Sequence, residues 1–74
     1  MAWIKDFSAG DKIRLHGDPT SYQLSSVRYN GLRGVQISAL RPSSVPEPIG
    51  FVQSATLVSL SLANINQFTY VPIP

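Results

Sequence analysis

The tract Ser21–Arg41, SYQLSSVRYNGLRGVQISALR, leaves few folds open to this chain, because Asn30-Gly31 stands between two runs of strand-forming residues. Both central residues of a type I′ turn need φ > 0, and Asn followed by Gly reaches that region at the least cost. A two-residue turn also sets the register. It predicts Tyr29 opposite Leu32, Arg28 opposite Arg33, Ser26 opposite Val35, Leu24 opposite Ile37 and Tyr22 opposite Ala39. Directly opposed residues share a face. One face therefore carries Tyr22, Leu24, Ser26, Val35, Ile37 and Ala39 and reads as core, while the other carries Ser25, Val27, Tyr29, Leu32, Gly34 and Gln36. Arg28 and Arg33 oppose each other near the tip, where like charges cost a few tenths of a kcal/mol (roughly) or more. The tip is expected to splay into solvent or to meet an acidic or polar group.

The flanking segments extend this β-pattern. Lys12-Ile13-Arg14-Leu15-His16 alternates, which predicts a strand with Ile13 and Leu15 inward and Lys12, Arg14 and His16 outward. Gly17-Asp18-Pro19-Thr20 closes it as a turn, and Ser8-Ala9-Gly10-Asp11 precedes it as another. Residues 1–9 read as an N-terminal arm with Trp3, Ile4 and Phe7 as its apolar anchors, lying across the domain or on a neighbour. Three prolines in Pro42–Pro48 mark residues 41–48 as an extended connecting loop. On apolar content alone Ile49–Leu62 reads as a buried helix or a strand, but it is rich in Val, Thr, Ser and Phe and lacks Glu, Lys and Arg, which favours a strand with a bulge or two-sided burial. Ala63–Asn66 turns into a last strand, Gln67–Val71, which the terminal prolines Pro72 and Pro74 mark as an edge. About five short antiparallel strands with a Pro-rich connection predict one all-β domain over residues 1–74, a small closed or half-closed barrel.

So short a chain is marginal on its own. At 74 residues it buries only about 60–65% of its unfolded surface, and it has none of the usual staples. It holds no cysteine and one histidine, which excludes a disulfide framework and a Cys/His zinc site, and no cofactor is expected. Lys5 and Asp6 fall where the apolar core of a secretory signal would lie, and no apolar run is long enough to span a bilayer, so a membrane is not an expected partner. Oligomerisation or docking on a larger assembly is the remaining common remedy.

Charge distribution points the same way. The ten charged residues lie between Lys5 and Glu47, so Pro48–Pro74 is a run of 27 residues without a formal charge. Either this segment is buried in the domain's own core, or at least one of its faces is covered by another subunit, since charge depletion is the signature of an interface core. On the second reading the interface residues are Phe51, Val58, Ser59, Leu60, Ser61, Leu62, Phe68 and Tyr70.

The stretch Gly10-Asp11-Lys12-Ile13-Arg14-Leu15-His16-Gly17-Asp18-Pro19, leading on to Val27, resembles the opening of small SH3-like barrels, including the KOW type of transcription and ribosomal proteins. Ser26 stands where that pattern carries a glycine, and the likeness covers about a quarter of the chain. The resemblance implies an SH3-like barrel and, through the KOW proteins, a nucleic-acid-binding face. Small barrels of this kind are also similar to minor structural proteins of tailed-phage particles, in the head, connector or tail. That likeness implies a virion component, whereas without it the chain is expected in the cytoplasm.

Three function classes follow. The first is a non-enzymatic assembly protein acting through subunit contacts, whether in a homo-oligomer or in a larger particle. The second is a nucleic-acid-binding module that uses Lys12, Arg14, His16, Arg28, Arg33 and Arg41, with Trp3, Tyr22 and Tyr29 available to stack on bases. The third is an adaptor whose Tyr and Trp side chains take a proline-rich peptide. Catalysis is not expected. His16 and Asp18 are the formal candidates beside the many serines, but they lie at a strand end and in a loop of a chain too short for a sizeable pocket. The carboxylates Asp6, Asp11, Asp18 and Glu47 read as caps and solvated charges, and no glycine-rich phosphate loop is present.

The turn assignment has a direct test. Gly31→Val should cost about 1–2 kcal/mol or more in unfolding free energy, because a β-branched residue does not readily take φ > 0. Wild-type stability in a denaturant titration would refute it.

Overall fold

In the computed structural model, which describes residues 1–8, 10–42 and 44–72, Asn30 and Gly31 take φ of 51° and 78°, the left-handed pair that a type I′ turn requires. The turn joins Tyr22–Tyr29 to Leu32–Ala39, and all five predicted cross-strand pairs form, Arg28 opposite Arg33 included. In chain order the strands are β1 (Ala2–Ile4), β2 (Ile13–His16), β3 (Tyr22–Tyr29), β4 (Leu32–Ala39), β5 (Glu47–Gln53) and β6 (Phe68–Val71). A 3-10 turn, Pro19–Ser21, leads into β3. The fold is all-β, as the patterning requires.

The strands lie in two sheets, ordered β1-β5-β4-β3 and β2-β6, and no ladder closes one onto the other among the described residues. This differs from the expected five antiparallel strands in two respects. There are six strands, and β1 with β5 and β2 with β6 pair in parallel. A parallel pair needs a long crossover, and both pairs join opposite ends of the chain, so no local turn signal announces them.

Three boundaries also move. Residues 2–4 of the N-terminal arm are not a loose arm but an edge strand, with Trp3 in register with Phe51 and Ile4 with Val52. The Pro-rich loop ends earlier than position 48, since Glu47 and Pro48 already stand opposite Ala39 and Ser38. A register shift at Ile37/Ser38 accommodates the proline in a strand whose ladder it cannot complete. The strand expected over 49–62 stops at Gln53: the Ser54 amide makes a last bond to the Arg33 carbonyl, and at φ 66° Ser54 turns the chain away from β4. The last strand begins at Phe68, one residue late, and of the terminal residues Pro72 is described while Ile73 and Pro74 lie outside the described residues, as do Ala9 and Ser43 of the predicted turn and loop.

The two sheets pack face to face. Val35 and Ile37 of β4 and Val52 of β5 meet Leu15 of β2, Phe68 of β6 and Leu60, with Ile4, Phe7, Ile13, Tyr22, Leu24 and Tyr70 around them. β2 alternates as predicted, with Ile13 and Leu15 inward and Arg14 and His16 exposed. The Tyr22 hydroxyl donates to the His16 carbonyl and the Tyr70 hydroxyl to the Leu62 carbonyl, so each half-buried tyrosine packs against the core and is anchored at its tip. Tyr70 ionises less readily than an ordinary tyrosine, first because burial disfavours the phenolate and then because Tyr22 and Asp18 add like charge.

A second apolar cluster sits on the opposite face of the four-stranded sheet. Phe51 is fully buried there, its ring over Gly34. Trp3 packs edge-on at 4.7 Å between centroids and Tyr29 at 5.0 Å. A Cβ on Gly34 would lie 2.4 Å from the Val52 carbonyl oxygen and 2.6 Å from the Phe51 ring, so this strand glycine is required by the aromatic cap.

Two substitutions compare the faces. Ile37→Ala should cost about 2–4 kcal/mol through the cavity it opens between the sheets. Gly34→Ala, which adds one methyl, should be destabilising by about 1–3 kcal/mol through overpacking. Thermal melts that leave Gly34→Ala at wild-type stability would refute the aromatic cap.

Candidate functional site

Residues 54–67 connect β5 to β6 without a strand, and their polar side chains explain why. The Thr56 amide donates to Ser59 Oγ at 2.8 Å, and the Ser59 amide returns a bond to Thr56 Oγ1 at 3.1 Å. Asn64 Oδ1 accepts from the Asn66 amide at 2.9 Å. The Gln67 carboxamide accepts from the Ser61 amide at 2.9 Å and donates to the Ser59 carbonyl at 2.6 Å. Ser, Thr and Asn side chains that bond nearby backbone offer it an alternative to the sheet ladder, and here that alternative prevails.

The polar groups thus turn inward onto the loop, while three apolar side chains turn outward. Leu57 is 51%, Ile65 80% and Val58 98% exposed, in a segment with no charged residue. The predicted interface residues therefore divide. Phe51, Leu60 and Phe68 are buried within the chain and offer nothing to a partner, which corrects their assignment to a contact surface. Leu62 and Tyr70 are half-buried against the core. Val58, Ser59 and Ser61 are exposed, and Leu57 and Ile65 join them. Sequence reasoning passed over both, having read Leu57 within the expected strand Ile49–Leu62 and Ile65 within the turn Ala63–Asn66.

Between this loop and the N-terminal residues lies an open cleft of about 570 Å³. Lys5, Asp11, Gln53 and Asn64 line it together with the apolar Phe7 and Leu60. The Asp11 carboxylate is occupied by the Ser8 amide at 2.9 Å and the Ser8 hydroxyl at 3.2 Å.

The basic residues are scattered over the molecule. Arg14 and His16 lie on the outer face of β2, and Arg28 and Arg33 are neighbours at the hairpin tip. Arg41 is held by Glu47 at 2.7 Å, an exposed ion pair contributing about 0–1 kcal/mol. The aromatic side chains that would stack on bases are elsewhere. Trp3 and Tyr29 cap the outer face of the four-stranded sheet, on the opposite side of the sandwich from β2, and Tyr22 faces the core. Their polar atoms are also engaged, Trp3 Nε1 with Gln53 Oε1 at 2.9 Å and the Tyr29 hydroxyl with Gln36 Oε1. His16 and Asp18 flank the turn after β2, but Asp18 Oδ1 accepts from the Thr20 amide at 2.9 Å and from its hydroxyl, as the cap of the 3-10 turn. Among the described residues no three His, Cys, Asp or Glu side chains gather as metal ligands, and no helix is long and apolar enough to cross a membrane.

Compared with protein-family models, curated proteins and solved structures, the chain matches none.

The Asp18 cap predicts a pH dependence. The Thr20 hydroxyl, then the Thr20 amide, hold the carboxyl below the ordinary aspartate value. A group whose folded value is depressed stabilises the fold above its unfolded value, near about 3.9, and loses that contribution as pH falls through the folded value. Asp18→Ala should therefore melt below wild type at neutral pH, with the gap closing in acid. A gap that stays constant from pH 7 down to strongly acid conditions would refute the capping role.

Proposed function

We propose that this protein is a non-enzymatic assembly component that works through contacts between subunits, and that the loop between β5 and β6 is one of its contact surfaces. The observation that carries the reading is the exposure of Leu57, Val58 and Ile65 together on a segment without a charge. Isolated exposed apolar residues are ordinary on a soluble surface. Three on one uncharged loop, whose Thr56, Ser59, Ser61 and Asn64 side chains bond its own backbone, form a surface that water solvates poorly and that a neighbour would cover. The missing staples add weight, because a chain of 74 residues with no cysteine gains most from burying surface on a partner.

The setting of such an assembly rests on the likeness of the Gly10–Pro19 stretch to small SH3-like barrels of phage particles. On this reading the two packed sheets are a half-closed version of that architecture and the protein belongs to a virion. The nucleic-acid reading is less well supported, since stacking aromatics and the basic strand face opposite ways and Arg41 is neutralised by Glu47.

Val58→Lys tests the proposal better than a change at Ser59 or Ser61, whose hydroxyls bond the loop backbone at Thr56 and Ala63. A charge placed in an interface core costs several kcal/mol (about 2–5) when it has no partner. The variant should keep the wild-type circular dichroism spectrum and melting temperature but show a lower mass by analytical ultracentrifugation. A mass unchanged by Val58→Lys, together with salt-sensitive retention on DNA that is lost on changing Arg14, Arg28 and Arg33 to Glu, would overturn it.

A further inference from the structure

β3 is the outermost strand of the four-stranded sheet, and one side of it has no neighbour among the described residues. Which backbone groups face that side follows from the ladder. The Ser21 carbonyl accepts from the Leu40 amide, and the Arg33 carbonyl accepts from the Ser54 amide on the far side of β4. With the antiparallel alternation, Gln23, Ser25, Val27 and Tyr29 direct their amides and carbonyls to β4, and Leu24, Ser26 and Arg28 direct theirs outward. The Tyr22 amide is taken by the Pro19 carbonyl, so the free edge runs from the Tyr22 carbonyl to Arg28.

Exposed edges are usually blunted by lysine, proline, a bulge or shortness. β3 has none of these. It is eight residues long, its register is continuous, it contains no lysine or proline, and Arg28 is its one charged residue. The sheet's other edge, β1, is three residues long, and Pro72 follows β6 directly.

The ends of this edge carry opposite charges. Asp18 stands just before β3, and Arg28 with Arg33 beside it stands at the other end. The ion pair found among the described residues is Arg41 with Glu47, so these two arginines repel each other without an acidic group in reach. Parallel pairing of two copies would gather four guanidinium groups at one end. Antiparallel pairing instead brings an Asp18 end to an Arg28 end twice.

We propose that β3 pairs antiparallel with β3 of a second copy of this chain, about a two-fold axis at Ser25, to make one continuous eight-stranded sheet. Leu24 then lies opposite Ser26 of the second copy and Arg28 opposite Tyr22 of the second copy, so core-facing side chains keep a common face and half-buried Leu24 is covered further. Asp18 of each copy approaches Arg28 and Arg33 of the other. An isologous contact of this kind closes on itself as a dimer. It rests on the assembly reading and deepens it, since the dimer leaves the Leu57, Val58 and Ile65 loop free to join one dimer to the next.

Ser26→Pro tests the pairing selectively, because it removes an outward amide that the chain's own ladder does not use. By sedimentation from micromolar to millimolar concentration, the wild type should reach at least twice the chain mass. Ser26→Pro should raise the dissociation constant of the dimer about tenfold or more while its circular dichroism stays that of the wild type. Amide exchange at Leu24, Ser26 and Arg28 should be slow in concentrated wild-type protein and fast on dilution. Arg28→Glu should relieve the repulsion with Arg33, and so melt no lower than wild type, yet weaken the dimer. If Ser26→Pro leaves the mass unchanged while Val58→Lys lowers it, the β3 pairing falls and the assembly reading stands. If Ser26→Pro dissociates the dimer and Val58→Lys has no effect on mass, the pairing stands and the loop contact falls. A wild-type chain that stays monomeric at every concentration, with those three amides exchanging freely, overturns both.

Discussion

β4 and β5 are buried on both faces, and the rest of the molecule follows from covering them. On one face Val35, Ile37 and Val52 need a lid, which β2 and β6 supply through Leu15 and Phe68. On the other face Phe51 needs a recess, which Gly34 supplies by lacking a side chain, and Trp3 and Tyr29 close over it. Fully burying an aliphatic or phenyl side chain contributes about 1.5–3 kcal/mol. Four such residues on two adjacent strands therefore carry a large part of what a 74-residue chain can gather against its conformational entropy. The parallel pairs β1-β5 and β2-β6 are the means by which the chain's two ends reach that centre.

The double burial also decides which apolar side chains and which strand edge are left exposed. Once Phe51, Leu60 and Phe68 are spent inside, the large apolar side chains left exposed among the described residues of the uncharged C-terminal third are Leu57, Val58 and Ile65. The hydrogen-bonded turns that hold residues 54–67 keep the loop backbone satisfied, so its apolar tips stay outward instead of collapsing onto the core. At the other side of the sheet, β3 remains an open edge because β4 and β5 recruit β1 and not a strand beyond β3. The free β3 edge and the exposed apolar loop are thus separate consequences of one core.

Electrostatics plays a smaller part in stability than in orientation. The exposed Arg41–Glu47 pair adds little. Arg28 and Arg33 set a direction along β3, positive at the hairpin tip and negative at the Asp18 turn. A strand with a charge at each end and a free ladder between them is polar in the sense that matters for antiparallel self-recognition.

Sequence alone determined the elements whose signals are local. Asn30-Gly31 specified the turn, the turn specified five cross-strand pairs, and the alternation of Ile13 and Leu15 placed the inner face of β2, because each depends only on backbone preferences and side-chain period within a few residues. Of the candidate site it gave the uncharged segment, on which Val58, Ser59 and Ser61 are exposed while Phe51, Leu60 and Phe68 are not. Tertiary structure decided the rest. Whether Ile49–Leu62 would continue as a strand turned on competition between a ladder and the side-chain bonds of Thr56, Ser59, Ser61 and Gln67, which composition cannot rank. Phe51 looked like a contact residue until Gly34 and Trp3, distant in the chain, were brought against it by β4 and β1 pairing on either side of β5. Parallel pairing between chain ends leaves no local mark, since its free energy comes from a core that exists only after both sheets have met.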